Sequence, residues 1–167
     1  KENKYGWTPF HSVCCYGYLE IVKLLLNDKR LVNIDKRDED GSTPFWYTCS
    51  NGHIEIVKLL LNDKRLVNID KRDEDGWTPF FCACEKGHIE IVKLLLNDQR
   101  VDINKADKYG YTPFHSVCQK GHIEIVKLLF NDRRININKA NAHNGATPFY
   151  VACENGHIEI VKLLLND

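Results

Sequence analysis

The chain has 167 residues, and its 23 lysines and arginines balance 23 aspartates and glutamates, so the formal net charge is zero. That balance argues against nucleic acid as a partner, because such binders carry a basic excess. The wholly apolar runs fall far short of the roughly 20 residues that span a bilayer. No charged-then-apolar signal opens the sequence, and Lys1 with no methionine anywhere points to a piece of a longer chain.

The first predicted element is a short helix from about Pro9 to Tyr16. Thr8 supplies a hydroxyl for an unpaired early N–H, and Pro9 fits the first turn because its missing donor would be unused there. Gly17 permits a tight reversal into a second helix, from about Leu19 to Leu26. Glu20 and Lys23 neighbour each other on its outer side. Ile21, Val22, Leu24, Leu25 and Leu26 cover too much of its circumference for an ordinary surface helix, so it must be buried on two sides. Asn27 is expected to end it in the left-handed conformation. A polar connector, Asp28–Asp40, follows, and reads as an extended turn or hairpin arm anchored by Ile34.

The same order then returns. Gly-x-Thr-Pro-Phe begins at Gly6, Gly41, Gly76, Gly110 and Gly145, and a Gly-His-Ile-Glu-Ile-Val-Lys block or near variant follows at Gly17, Gly52, Gly87, Gly121 and Gly156. The connectors repeat too, with Ile69, Ile103 and Ile137 in place of Ile34; the last is irregular, carrying an extra residue in Asn141-Ala142-His143-Asn144. A period in this range marks a stacked array in which each unit buries its apolar surface against its neighbours. Neither helix is long enough to stand alone, so stacking must hold the array together.

These residues resemble the ankyrin-repeat family over essentially the whole chain: Gly-x-Thr-Pro-Phe, a small pair such as Val13-Cys14 or Ala152-Cys153, Gly-His, then Ile-Glu-Ile-Val-Lys-Leu-Leu-Leu. The resemblance implies an all-α solenoid of stacked antiparallel helix pairs with projecting hairpin-like loops and a concave face. It divides the chain into repeats at about 1–37, 38–72, 73–106, 107–141 and 142–167. The sequence departs from the family pattern in three ways. Phe10, Phe45, Phe80, Phe114 and Phe149 replace the usual Leu. Asn-Asp-x-Arg replaces the usual Gly-Ala after the second helix. The usual His survives only as His11 and His115, with Trp46, Phe81 and Tyr150 elsewhere. In the family that His ties neighbouring repeats by hydrogen bonds, so its loss implies three missing ties.

Five aligned copies separate scaffold from variation. The second helix hardly changes. The varied columns are Tyr5/Asp40/Asp75/Tyr109/Asn144, Trp7/Ser42/Trp77/Tyr111/Ala146, His11/Trp46/Phe81/His115/Tyr150, Ser12/Tyr47/Cys82/Ser116/Val151, and two near the end of the first helix that include Cys15, Glu85, Tyr16 and Lys120. Residues four apart share a helix face, so these columns are expected to form one face continuous with the loops, opposite Phe10 and Cys14. Ser50, Glu85 and Asn155 read as solvated drift. Trp and Tyr gather in the varied columns, and these residue types are enriched in binding hot spots. Tyr5, Trp7, Trp46, Tyr47, Trp77, Phe81, Tyr109, Tyr111 and Tyr150 are therefore the candidate anchors for a partner protein, with Asp40, Asp75 and Lys120 setting orientation. Glu39, Asp40, Glu74 and Asp75 make two loops acidic, while Lys86, Lys108 and Lys120 lie nearby; an interspersed pattern suits a protein surface.

The seven cysteines are read as core rather than metal ligands, since Cys14, Cys49, Cys84, Cys118 and Cys153 recur at one position and neither Cys14-Cys15 nor Cys82-Ala-Cys84 has a zinc spacing. Unpaired buried thiols imply a reducing, cytoplasmic setting. His53, His88, His122 and His157 form a ladder, which suits contact with backbone rather than one convergent catalytic site. Cys–His pairs such as His11 with Cys14 or Cys15, and His115 with Cys118, lack an orienting third group. The chain is not read as an enzyme, and no cofactor is expected. A protein-interaction module is the favoured reading; a spacer without a dedicated ligand, or small-molecule or nucleotide binding between aromatic side chains, are the alternatives. The apolar Ile158–Leu165 helix has no polar cap after it, which predicts an exposed end face and self-association.

Overall fold

A computed structural model describes residues 1–28 and 33–165; positions 29–32 of the first connector and the last two positions of the final repeat, 166–167, lie outside the described residues. Ten helices form among the described residues: α1 (Pro9–Tyr16), α2 (Leu19–Asn27), α3 (Pro44–Ser50), α4 (Ile54–Leu61), α5 (Pro79–Glu85), α6 (Ile89–Leu96), α7 (Pro113–Lys120), α8 (Ile123–Phe130), α9 (Pro148–Glu154) and α10 (Ile158–Leu165), with no strand. Each odd-numbered helix packs on the even-numbered one that follows it. The odd-numbered helices stack in one row and the even-numbered helices in a second row behind.

Every first helix starts as its sequence dictates. Thr8, Thr43, Thr78, Thr112 and Thr147 precede the Pro, and each hydroxyl accepts the N–H three residues on. In α1 and α7 the third residue is histidine, whose Nδ1 accepts the Thr8 or Thr112 N–H at 3.1 Å in return. This is a capping box with imidazole in the place of a glutamate. Phe10, Phe45, Phe80 and Phe114 then point into the stack, each 1% exposed. Val22, Val57, Val92 and Val126 are fully buried from the second row.

The Gly-His turn is where one repeat meets the next. Gly17, Gly52, Gly87 and Gly121 all have positive φ, and the imidazole of the next repeat's histidine rests on each. A Cβ on Gly87 would lie 2.8 Å from His122 Cε1. Seated there, His53, His88, His122 and His157 place Nε2 at 2.8, 3.0, 3.1 and 2.8 Å from the carbonyls of Cys15, Ser50, Glu85 and Gln119. A carbonyl only accepts, so Nε2 carries the proton in each. The ladder therefore contacts backbone, as its repetition implied.

The expectation for Asn27 is not met. It closes α2 as a helical residue, and Asn62, Asn97 and Asn131 keep right-handed backbone; every positive φ in the described chain belongs to glycine. At the ends of α2, α4 and α6 the reason lies in the Asn-Asp-x-Arg departure. Arg65, Arg100 and Arg134 reach back to the helix-end carbonyls of Leu26, Leu61 and Leu96 at 3.0, 3.2 and 2.8 Å. Asp63, Asp98 and Asp132 hold these guanidiniums in place, and each carboxyl is kept below its ordinary pKa chiefly by its bond to the arginine. Carbonyls satisfied from outside need no left-handed cap.

The connectors form a third row. Ile34, Ile69 and Ile103 are buried as anchors, while Ile137 is only half-buried. Asp35 and Asp70 follow the first two and are 8% exposed. Burial raises the Asp70 carboxyl pKa; Oδ2 accepts the Asp102 N–H at 2.7 Å, but Oδ1 has no partner. In the next repeat this column is Asn104, whose Oδ1 accepts from Asn136 and whose Nδ2 donates to the Arg134 carbonyl at 2.7 Å.

The ladder cysteines Cys14, Cys49, Cys84 and Cys118 are buried, as is Cys82; Cys153 is exposed, because no later first helix covers it among the described residues. The last repeat also exposes Ile158 at 63% and Leu165 at 65%.

Two predictions test this framework. Gly87→Ala should destabilise the array by about 2–3 kcal/mol in urea unfolding, combining left-handed strain with loss of the His122 seat. Asp70→Asn should raise stability at pH 7, since an ionised carboxylate with a raised folded pKa costs stability there. That cost fades as pH falls through the raised pKa, so the advantage should narrow toward pH 4 in the same measurement.

Candidate functional site

The loop tips are built by carboxylates that fold the chain around themselves. Asp38, Asp73 and Asp107 each accept a bond from the N–H of the residue after the glycine, Ser42, Trp77 and Tyr111, at 2.9, 2.7 and 2.9 Å. Neighbouring tips are tied by one backbone bond each: Glu39 to Tyr5, Glu74 to Asp40, Lys108 to Asp75 and Ala142 to Tyr109. Those bonds hold successive tips in register, so side chains of adjacent repeats lie side by side. In the last tip the extra residue changes the turn, and Asn141 accepts from both His143 and Asn144.

Just after Gly6, Gly76 and Gly110, an aromatic side chain packs back on the helix it introduces. Trp77 stacks on Phe81 at 5.0 Å, Tyr111 meets His115 edge-on at 5.5 Å, and Trp7 lies over His11 at 6.3 Å. These pairs are half packing and half surface, since Trp7, Trp77 and Tyr111 remain partly exposed. The columns are therefore not a uniformly open face. His11, Phe81, Cys82, His115 and Ser116 are buried between first helices. Phe81, expected as an anchor, is 2% exposed and can serve only as a floor beneath Trp77. Burial also lowers the pKa of His11 and His115, keeping both imidazoles neutral.

Trp46 corrects a second expectation. Its indole N–H donates to the Trp77 carbonyl at 3.2 Å, the same tie to the next loop that His115 makes to the Ala146 carbonyl at 3.1 Å. Tryptophan thus restores an inter-repeat bond that loss of histidine seemed to remove. Tyr47 is likewise engaged internally: its hydroxyl donates to Asp38 at 2.8 Å, and its ring lies 4.8 Å from Trp7 and 5.1 Å from Trp46. Burial beside the Asp38 carboxylate pushes its phenol pKa upward. Tyr5 and Asp40 lie exposed at the first two tips, and exposed Tyr150 stands apart on α9.

The remaining candidates converge. Asp75, Trp77, Phe81, Tyr109, Tyr111 and Lys120 line one cleft of about 490 Å³ between the third and fourth repeats, joined by Glu85, Asp107, Ser116 and Gln119. This lies within the size range of ligand-binding clefts. Lys108 bridges the rim, 2.5 Å from Asp75 Oδ1 and 5.2 Å from the Tyr109 ring centre. At the base, the Glu85 side chain is only 11% exposed; it pairs with Lys120 at 3.0 Å and accepts the Ser116 hydroxyl. Glu85 is therefore not solvated drift. The signal was available in the sequence, since columns one period apart face each other and set Glu85 against Ser116 and Lys120.

None of the Cys–His pairs forms a nucleophilic arrangement among the described residues. His11 and His115 have Nδ1 committed to the caps, and burial raises the thiol pKa of Cys14 and carries that of Cys118 up to about 12. No group of three metal-ligating side chains occurs among the described residues, and none of their helices is long and apolar enough to cross a membrane. Brief treatment of the native protein with iodoacetamide should alkylate Cys153 first, and Cys14, Cys49, Cys82, Cys84 and Cys118 only after unfolding, as read by peptide mass spectrometry.

Comparison with known proteins agrees with this architecture. No curated protein matches the chain. The family model described as ankyrin repeats matches three times, over residues 10–107, 64–141 and 99–167. The helix pairs, the glycine-seated histidines and these matches together show that the chain belongs to the ankyrin-repeat family, whose members generally serve as protein-interaction modules.

Proposed function

We propose that this chain binds a partner protein through its loop tips and first-helix face, centred on the cleft between the third and fourth repeats. The observation that carries the reading is the convergence there of Trp77, Tyr109 and Tyr111 with Asp75 and Lys120, all partly or fully exposed around one concavity. Aromatic side chains beside charged ones at a concave surface make the contacts that dominate protein interfaces. The paired aromatics of the first two repeats support a different role for that end. Trp7, Tyr47 and Trp46 pack on one another and tie the loops, which favours a rigid spacer there over a second binding centre.

Seven unpaired cysteines suit a reducing, cytoplasmic setting. The exposed Ile158 and Leu165 favour self-association through α10 as a secondary contact.

With a partner isolated by affinity capture, Trp77→Ala and Tyr111→Ala should each weaken binding by about 2 kcal/mol, or roughly 30-fold. Tyr150→Ala, outside the cleft, should leave affinity unchanged. Urea unfolding of each variant separates lost binding from lost folding. Undiminished affinity in both cleft variants would sink the proposal.

A further inference from the structure

The chemistry of the cleft narrows what it can receive, provided it is the partner-binding site proposed above. We infer that it accepts the guanidinium of an arginine presented by an extended, basic segment of the partner protein.

The first argument is charge. Asp75, Glu85 and Asp107 line the cleft against the single lysine Lys120, and counting Lys108 at the rim still leaves one negative charge over. An anionic ligand would meet those carboxylates directly. With Asp75 paired to Lys108 and Glu85 to Lys120, a purely apolar side chain would bury the Asp107 charge without a cation to compensate it, which costs free energy. The second argument is valence. Asp107 Oδ1 accepts from the backbone of Tyr109 and Tyr111 at 2.9 Å each, while its Oδ2 takes no bond from the described residues. An acceptor is therefore open beside two aromatic rings.

Lys108 supplies the third argument, because it shows what this wall does with a cation. Its ammonium is held between a carboxylate at 2.5 Å and the Tyr109 ring at 5.2 Å. Charge and π-face together are the combination that binds cationic side chains. Lysine serves the rim and, through Lys120, the base, in each case as a point charge. The volume between them suits the planar guanidinium, which stacks on rings and pairs with carboxylates through two parallel bonds. Beyond the cleft, the two neighbouring tips carry exposed Glu39, Asp40 and Glu74 beside exposed Arg37 and Arg72, three carboxylates against two guanidiniums. Residues flanking the arginine would run along that row, so a basic segment is favoured over an isolated side chain, with faster encounter at low salt.

The test is a titration of the intact chain with acetyl-Gly-Ser-Arg-Ser-Gly-amide and its Lys, Gln and Leu counterparts. The readouts are the Trp77 indole and the Tyr109 and Tyr111 backbone amide resonances. The Arg peptide should give saturable shifts confined to the cleft, with the Lys peptide several-fold weaker and the Gln and Leu peptides about tenfold weaker or more. Asp107→Asn, which retains an acceptor for the two backbone N–H groups, should weaken the Arg peptide at least about threefold and leave the Gln peptide unmoved. Asp75→Asn, which removes only a surface ion pair from the fold, should act in the same direction and guards against a disturbed hairpin in the first variant. Equal binding of the Leu peptide at the cleft overturns the guanidinium assignment while leaving the partner site in place. Failure of the Arg peptide to saturate overturns the assignment as well. The partner-site reading fails separately, on undiminished capture by both Trp77→Ala and Tyr111→Ala.

Discussion

Each repeat in this protein is finished by its neighbour, and the contact that finishes it is an imidazole resting on a glycine. The glycine must lack a side chain for two independent reasons: its backbone is left-handed, and the space above it is occupied by the next histidine. Once seated, that histidine satisfies a carbonyl near the end of a first helix that the short helix cannot satisfy itself. The position of one repeat thus sets the position of the next. The guanidinium row behind and the backbone row at the loop tips reinforce the same spacing.

Much of this was legible in the sequence because repetition does the work of an alignment. Thr-Pro placed the start of every first helix, and the buried phenylalanines followed from their period. The recurrence of Gly-His itself points to backbone contact. What escaped were effects that cross from one repeat to the next. Asn27 and its counterparts looked like left-handed caps because the sequence did not show Arg65 arriving from the following unit. Trp46 looked like a lost tie because nothing in its own repeat shows that an indole N–H reaches the Trp77 carbonyl.

The cleft illustrates the same limit. Its aromatic members stood out by residue type, and the loops explain why they meet, since backbone bonds between tips hold Asp75 beside Lys108 and Tyr109. Glu85 did not stand out, because a glutamate at the end of a surface helix looks solvated. Only the facing serine and lysine of the next repeat turn it into a mostly buried carboxylate. Conversely, Phe81 looked like an anchor and is a floor. Residue type predicts what a side chain can contact, whereas the stack decides whether solvent or a partner ever sees it.

Three rows of bonds between repeats share one direction, while the side-chain ties from Trp46 and His115 run the other way. In the histidine row, the arginine row and the loop row, the donor sits on the later repeat and the acceptor is a carbonyl of the earlier one. A repeat leaving the ribosome therefore meets acceptors already set in place by the one before it. Synthesis from the N-terminus and assembly of the stack then proceed in the same sense, as zipping rather than search. In those three rows the polarity of the hydrogen bonds matches the order of synthesis.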